Sequence, residues 1–142
     1  MRPLEAHINL ANLRHNFQYL KSKHGNKTLA VIKANAYGHG SVQCANALAD
    51  LADGLAVACI EEALTLREAG VSLPIVLLEG VFEADEYALV EQHDLWPVVQ
   101  NEAQLQALLA TDIKKPLTVW LKMDSGMHRA GFFPQDYAAA FK

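Results

Sequence analysis

Lys33 stands where the apolar run Leu29-Ala30-Val31-Ile32 ends, and the residues after it read Ala34-Asn35-Ala36-Tyr37-Gly38-His39-Gly40. Burial penalises a charged ammonium, and the neutral amine left at the end of a buried strand is a nucleophile able to form a Schiff base. The two glycines that bracket His39 predict a tight, backbone-exposed turn, on which main-chain groups and Tyr37 can approach a bound anion. His39 reads as a turn residue that hydrogen-bonds locally. A second constellation is Lys122-Met123-Asp124-Ser125-Gly126-Met127-His128-Arg129, again directly after an apolar run. Arg129 brings a permanent charge and a planar fork of donors suited to a phenolate, carboxylate or phosphate. The alternative for Lys122 and Arg129 is a surface pair or a salt bridge with Asp124, which otherwise orients its neighbours.

The elements that must carry these residues alternate along the chain. Strands are predicted over Thr28–Ile32, Leu55–Cys59, Ile75–Leu78, Trp96–Val99 and Leu117–Leu121. They are nearly continuous apolar runs, the pattern of strands buried on both faces of a parallel sheet. Helical stripes lie between them. Leu10, Leu13, Phe17 and Leu20 form the first; Val42, Ala45, Leu48 and Ala49, with Ser41 as a cap, form the next. Ala63, Leu64 and Leu66 belong to a helix that stops at Gly70 and that Glu61 and Glu62 favour through its dipole. Asn101 and Gln104 resemble a capping box for the helix through Leu109. Trp96 and Trp120 are expected in the core. Units of this kind suit either a doubly wound sheet or a (β/α)8 barrel, and in both all strand C-termini share one face, where Lys33 and Arg129 could line one mouth.

Pro134 opens a last helix, Gln135–Lys142, that reaches the end of the chain without a cap. The chain therefore reads as part of a longer one. Five strands cannot close an eight-stranded barrel, and the first and fifth would keep unpaired edges.

Composition excludes several classes of function. With 142 residues, 51% of them hydrophobic, the chain can bury a substantial core. A net charge of −4 without a basic cluster offers nothing to nucleic acid or to an anionic membrane. No apolar run approaches a transmembrane length, and the first residues lack a signal-peptide stretch, so a cytoplasmic protein is expected. Cys44 and Cys59 form no CxxC and no paired-ligand spacing, which argues against a disulfide framework and against a metal site.

The segment AVIKANAYGHG, residues 30 to 40, resembles the cofactor-lysine motif of the pyridoxal-phosphate-dependent alanine racemases, and KMDSGMHRAG, residues 122 to 131, resembles their second N-terminal motif. Other proteins on this barrel, such as the basic amino acid decarboxylases and the small pyridoxal-phosphate homeostasis proteins, keep the lysine without the Asn-Ala-Tyr-Gly-His-Gly sequel. The resemblance covers the whole chain but only the first part of the family's length. It implies the N-terminal portion of a (β/α)8 TIM barrel, truncated after about five βα units, with the family's C-terminal β domain absent.

Residue by residue, the resemblance implies that Lys33 forms the internal aldimine with pyridoxal 5'-phosphate and acts as the base on the D face. Tyr37 contacts the cofactor phosphate, and Arg129 binds the phenolic oxygen near the substrate carboxylate. Lys122 matches a lysine commonly carbamylated in the family, whose new charge holds the arginine. The implied reaction interconverts L- and D-alanine in a homodimer and supplies D-alanine for peptidoglycan. The opposite base, a tyrosine of the partner subunit, lies beyond Lys142, so the isolated chain is expected to be inactive. Ala11 stands where an acidic helix cap is usual, and Ser125 where threonine is frequent. The alternatives are a non-catalytic pyridoxal-phosphate-binding module, a racemase of broader specificity that includes serine, and a Schiff-base aldolase.

Overall fold

The structure, a computed structural model, describes residues 3–142. Its centre is a five-stranded parallel sheet in the order β1-β2-β3-β4-β5. The strands are β1 Leu29–Val31, β2 Gly54–Val57, β3 Ile75–Leu77, β4 Leu95–Val99 and β5 Trp120–Leu121. The helices are α1 Leu10–His24, α2 Lys33–Tyr37, α3 Ser41–Leu48, α4 Ile60–Glu68, α5 Glu86–Gln92, α6 Glu102–Ala110 and α7 Pro134–Ala140.

Strand order and layering separate the two architectures left open by the sequence. A doubly wound sheet reverses its order at a switch point and carries helices on both faces. Here the order is sequential, and the helices pack on one face only. Ala30, Leu55, Ile75 and Leu95 are register partners. They join Val57 and Leu77 in one large cluster with Ala45 and Leu48 of α3, Ala63 and Leu66 of α4, and Tyr87 and Val90 of α5. Each fully buried leucine there contributes about 2 kcal/mol. Alternate residues face the other way. Ala56, Val76 and Val98 form a second cluster with Leu29, Leu78 and Trp96, to which no helix contributes. One helix-covered face and one small inner face are the two sides of a barrel wall. The fold is therefore the N-terminal portion of a (β/α)8 barrel.

Several local expectations change. Trp120 is not a core residue but 46% exposed. Its register partner is the inner-face Val98, and β5 pairs with β4 alone, so its inner side is open. Trp96 is partly buried in the inner cluster. The helix α1 is capped by Asn9, whose side chain accepts from Asn12 N at 3.0 Å, so Ala11 does not occupy the cap. Ser41 is not a side-chain cap either. Its own N–H donates to Asn35 Oδ1 at 2.8 Å, so the polar side chain at the start of α3 comes from the preceding turn. Asn101 caps α6 as expected, accepting from Gln104 N at 2.9 Å. Gln104 does not complete the box; its amide reaches Glu79 O, Val81 O and Gln100 N instead. Tyr87 and Val90 of α5, a helix with no singled-out sequence stripe, are both fully buried.

Candidate active site

The C-terminal ends of the strands place the two constellations on one rim. Leu29 belongs to the inner face and Val31 pairs with the inner-face Ala56, but Ile32, at ψ 26°, ends the extended alternation before Lys33. On β5, Trp120 has the inner parity and Lys122 follows it. Both lysines leave the sheet at its C-terminal rim. They stand at opposite edges, however, four inter-strand steps apart, roughly 19 Å along the sheet. Lys33 and Tyr37 are brought together at β1, and Lys122 and Arg129 at β5. No hydrogen bond or ion pair between described residues joins the two groups.

The turn that begins at Lys33 has an unusual backbone. Ala34, Asn35, Ala36 and Tyr37 all have φ between 51° and 53°, so four consecutive non-glycine residues are left-handed. Each such residue costs about 1–2 kcal/mol against the right-handed form. Such strain persists only where the surroundings over-determine it, and it concentrates at functional sites. Several bonds do so here. Ala36 N donates to Ile32 O at 2.9 Å, Gly38 N to Ala34 O at 3.1 Å and Gly40 N to Asn35 O at 3.0 Å. Glu62 of α4 accepts from Ala34 N at 2.6 Å and from Ala58 N at 2.8 Å. His39 is a local turn residue, its Nδ1 lying 3.0 Å from Ala36 O. Gly38 and Gly40, at φ 87° and 92°, end the turn as the sequence required.

Lys33 is half-buried rather than buried, and Tyr37 is 61% exposed. Among the described residues neither Lys33, Lys122 nor Arg129 enters an ion pair. The salt-bridge alternative for Lys122 and Arg129 is thereby removed, because Asp124 is engaged elsewhere. Its buried carboxylate accepts from Gly126 N and His128 N at 3.0 Å each and lies 2.9 Å from His128 Nδ1. These bonds hold the Asp124 carboxyl below the usual carboxylate range, the Gly126 amide first among them.

The Arg129 loop is pinned at its base. Lys122 N donates to Val99 O at 2.9 Å, Asp124 N to Phe132 O at 2.8 Å and Gly131 N to Gln100 O at 3.2 Å. The returning chain crosses so closely at Gly131, φ 116°, that a Cβ there would lie 2.6 Å from Asp124 N. Arg129 lines a groove of about 330 Å³ with Gln100, Asn101, Asp124 and His128. A half-buried amine, an exposed phenol and a disengaged guanidinium on one rim can serve an aldehyde, a phosphate and a phenolate respectively.

The family described as alanine racemase, N-terminal domain, matches residues 8–142. The chain belongs to the alanine racemase family. It is 67% identical over 141 residues to alanine racemase from Neisseria meningitidis serogroup C, covering 99% of this chain and 40% of that protein. Its fold is similar to the crystal structure of biosynthetic alanine racemase from Pseudomonas aeruginosa, with a TM-score of 0.92 and 51% identity over 98% of this chain and 39% of that one. It is also similar to histidine racemase from Leuconostoc mesenteroides subsp. sake, with a TM-score of 0.79 and 29% identity over 93% and 37% of the two chains. The chain spans about 40% of the length of the curated alanine racemases it matches. The Lys33 and Arg129 motifs, both legible in sequence, thus fall inside the shared portion. Glu62, inside the matching segment Gly54 to Glu62, reads in the sequence as a helix-start residue with no role at the site.

Proposed function

We propose that the complete protein of which residues 1–142 are a part interconverts L- and D-alanine with pyridoxal 5'-phosphate. The observation that carries this reading is Lys33, held at the rim of β1 by a strained left-handed turn and in no ion pair among the described residues. Residues 1–142 form the N-terminal part of the cofactor-binding barrel domain, and the mostly β domain of the family lies outside them. The donor set fits the cofactor. Lys33 would hold it by its aldehyde carbon, the Tyr37 hydroxyl by its phosphate, and Arg129 by its phenolic oxygen, beside the substrate carboxylate. Lys122, carbamylated, would hold the Arg129 guanidinium in place. When bound, pyridoxal phosphate supplies an electron sink that acidifies the α-proton of the amino acid.

The chain's own residues then carry out one half of a two-base exchange. Once the substrate's amino group has displaced it from the aldehyde carbon, the neutral Lys33 amine would take the α-proton on the D face onto Nζ, and in the reverse direction the Lys33 ammonium would return it. A group outside these residues, a tyrosine of the partner subunit in a homodimer, serves the other face. Residues 1–142 alone accordingly do not racemise alanine. The complete enzyme works in the cytoplasm, and its D-alanine feeds peptidoglycan.

Borohydride treatment of the complete protein with pyridoxal phosphate, followed by peptide mapping, tests the assignment. The cofactor is expected on the peptide that contains Lys33. Fixation on Lys122, or on no lysine of this segment, would overturn it. A second reading, a broader-specificity racemase that accepts serine, is favoured by the shared fold with a histidine racemase, since one rim can serve different side chains. Comparing alanine with serine turnover separates the two. Cofactor binding without α-proton exchange would instead mark a non-catalytic binding module.

A further inference from the structure

We propose that Glu62 is a positioning residue for Lys33, acting through the left-handed turn; the inference rests on the role given above to Lys33. Glu62 lies in the first turn of α4, and its carboxylate spans two chain segments. Oε1 accepts from Ala34 N at 2.6 Å, directly after Lys33, and Oε2 accepts from Ala58 N at 2.8 Å, directly after β2. One side chain thus ties together the C-terminal ends of adjacent strands.

The location of the first bond gives it its effect. The N–H of Ala34 belongs to the peptide plane that Lys33 begins, so holding it fixes ψ of Lys33 and with it the direction from which the lysine side chain departs. It also holds the first left-handed residue, Ala34 at φ 51°, the point at which the turn would relax to right-handed backbone. Ala34 is exposed, so water can take over its N–H when the carboxylate is removed, and the turn loses its anchor without losing its solvation. An ionised carboxylate suits the task because both oxygens accept and neither donates, and its bonds to N–H groups are stronger than neutral ones. A glutamine at position 62 can accept from one N–H only, its NH2 facing the other as a second donor. An aspartate keeps the charge but is one methylene shorter and cannot reach both amides.

Glu62→Gln, Glu62→Asp and the neighbouring Glu61→Gln, made in the complete protein, test this. The first readout needs no cofactor: amide hydrogen exchange at Ala34 and Ala58. Glu62→Gln is expected to accelerate exchange at one or both sites by about tenfold or more, with other core amides unchanged. The second readout is the rate at which the cofactor-free protein captures pyridoxal phosphate on Lys33, fixed by borohydride. That rate is expected to fall about tenfold in Glu62→Gln and by an intermediate factor in Glu62→Asp, while Glu61→Gln matches wild type. In alanine turnover kcat should fall more than KM rises. Unchanged exchange at both Ala34 and Ala58, or equal capture by all three variants and wild type, would overturn the inference. Capture on a lysine other than Lys33 would sink the functional reading, and the exchange data would still decide whether Glu62 anchors the turn.

Discussion

Asp124 and His128 close a ring around the loop that carries Arg129: the carboxylate accepts from the His128 main-chain N–H at 3.0 Å and lies 2.9 Å from its Nδ1. His128 is itself left-handed at φ 55°, so the loop adopts this form against a local preference and depends on the acceptor. Because the folded Asp124 carboxyl is held below its ordinary range, its contribution is complete above the ordinary aspartate pKa and is lost as pH falls through the depressed folded value. Asp124→Ala, which removes the acceptor oxygen shared by both amides, should therefore raise amide exchange at Gly126 and His128 near neutral pH. The difference from wild type should shrink in acid. Equal protection in the two proteins at neutral pH would show that the ring does not order the loop.

The left-handed turn makes an unusual stability prediction at Ala34. The residue is exposed and sits at φ 51°, so Ala34→Gly loses little packing and removes the steric penalty of the methyl group. Relief of about 1–2 kcal/mol is set against about 0.5–1 kcal/mol of added chain entropy in the unfolded state. The variant should melt slightly higher, by a few degrees at most. A clearly lower melting temperature would mean that the turn is not left-handed at this position.

Tyr87 is fully buried, and its hydroxyl donates to Gln104 O at 3.0 Å, joining α5 to α6. Burial pushes its phenol up to about 12. A raised pKa contributes stability that is complete below the unfolded value of roughly 10 and is lost as pH rises through the folded value. Tyr87→Phe should cost about 1 kcal/mol at neutral pH, read by denaturant titration. It should also lessen the loss of stability between about pH 10 and about pH 12. An alkaline profile identical to that of wild type would contradict this.

The strands were legible because each is a short, continuous apolar run, and β1 to β4 lie within a residue or two of the runs that announced them. The run from Leu117 shortened to Trp120–Leu121, since β5 has a paired neighbour on one side only. The barrel itself was not legible in periodicity, which reports burial on two faces but not what covers each; the motif resemblance and then the strand order supplied it. Lys33 and Arg129 were legible as chemistry at strand ends. Their placement at opposite edges of the sheet was legible too, since the first and fifth strands were expected to keep unpaired edges, and the sequential order agrees. Only Asn35 in Ala34-Asn35-Ala36-Tyr37 favours a left-handed backbone, since alanine and tyrosine ordinarily avoid it. The anchoring bonds of Glu62 and Asn35, made across 28 and 6 residues, had no sequence signature.

The most direct test of the central claim is alanine racemisation by the complete protein, wild type against Lys33→Ala, at saturating pyridoxal phosphate. Removing the amine that both holds the cofactor and moves the proton should lower turnover by at least about a thousandfold, in either direction. Turnover by Lys33→Ala at the wild-type rate would contradict the assignment of Lys33 and the function built on it.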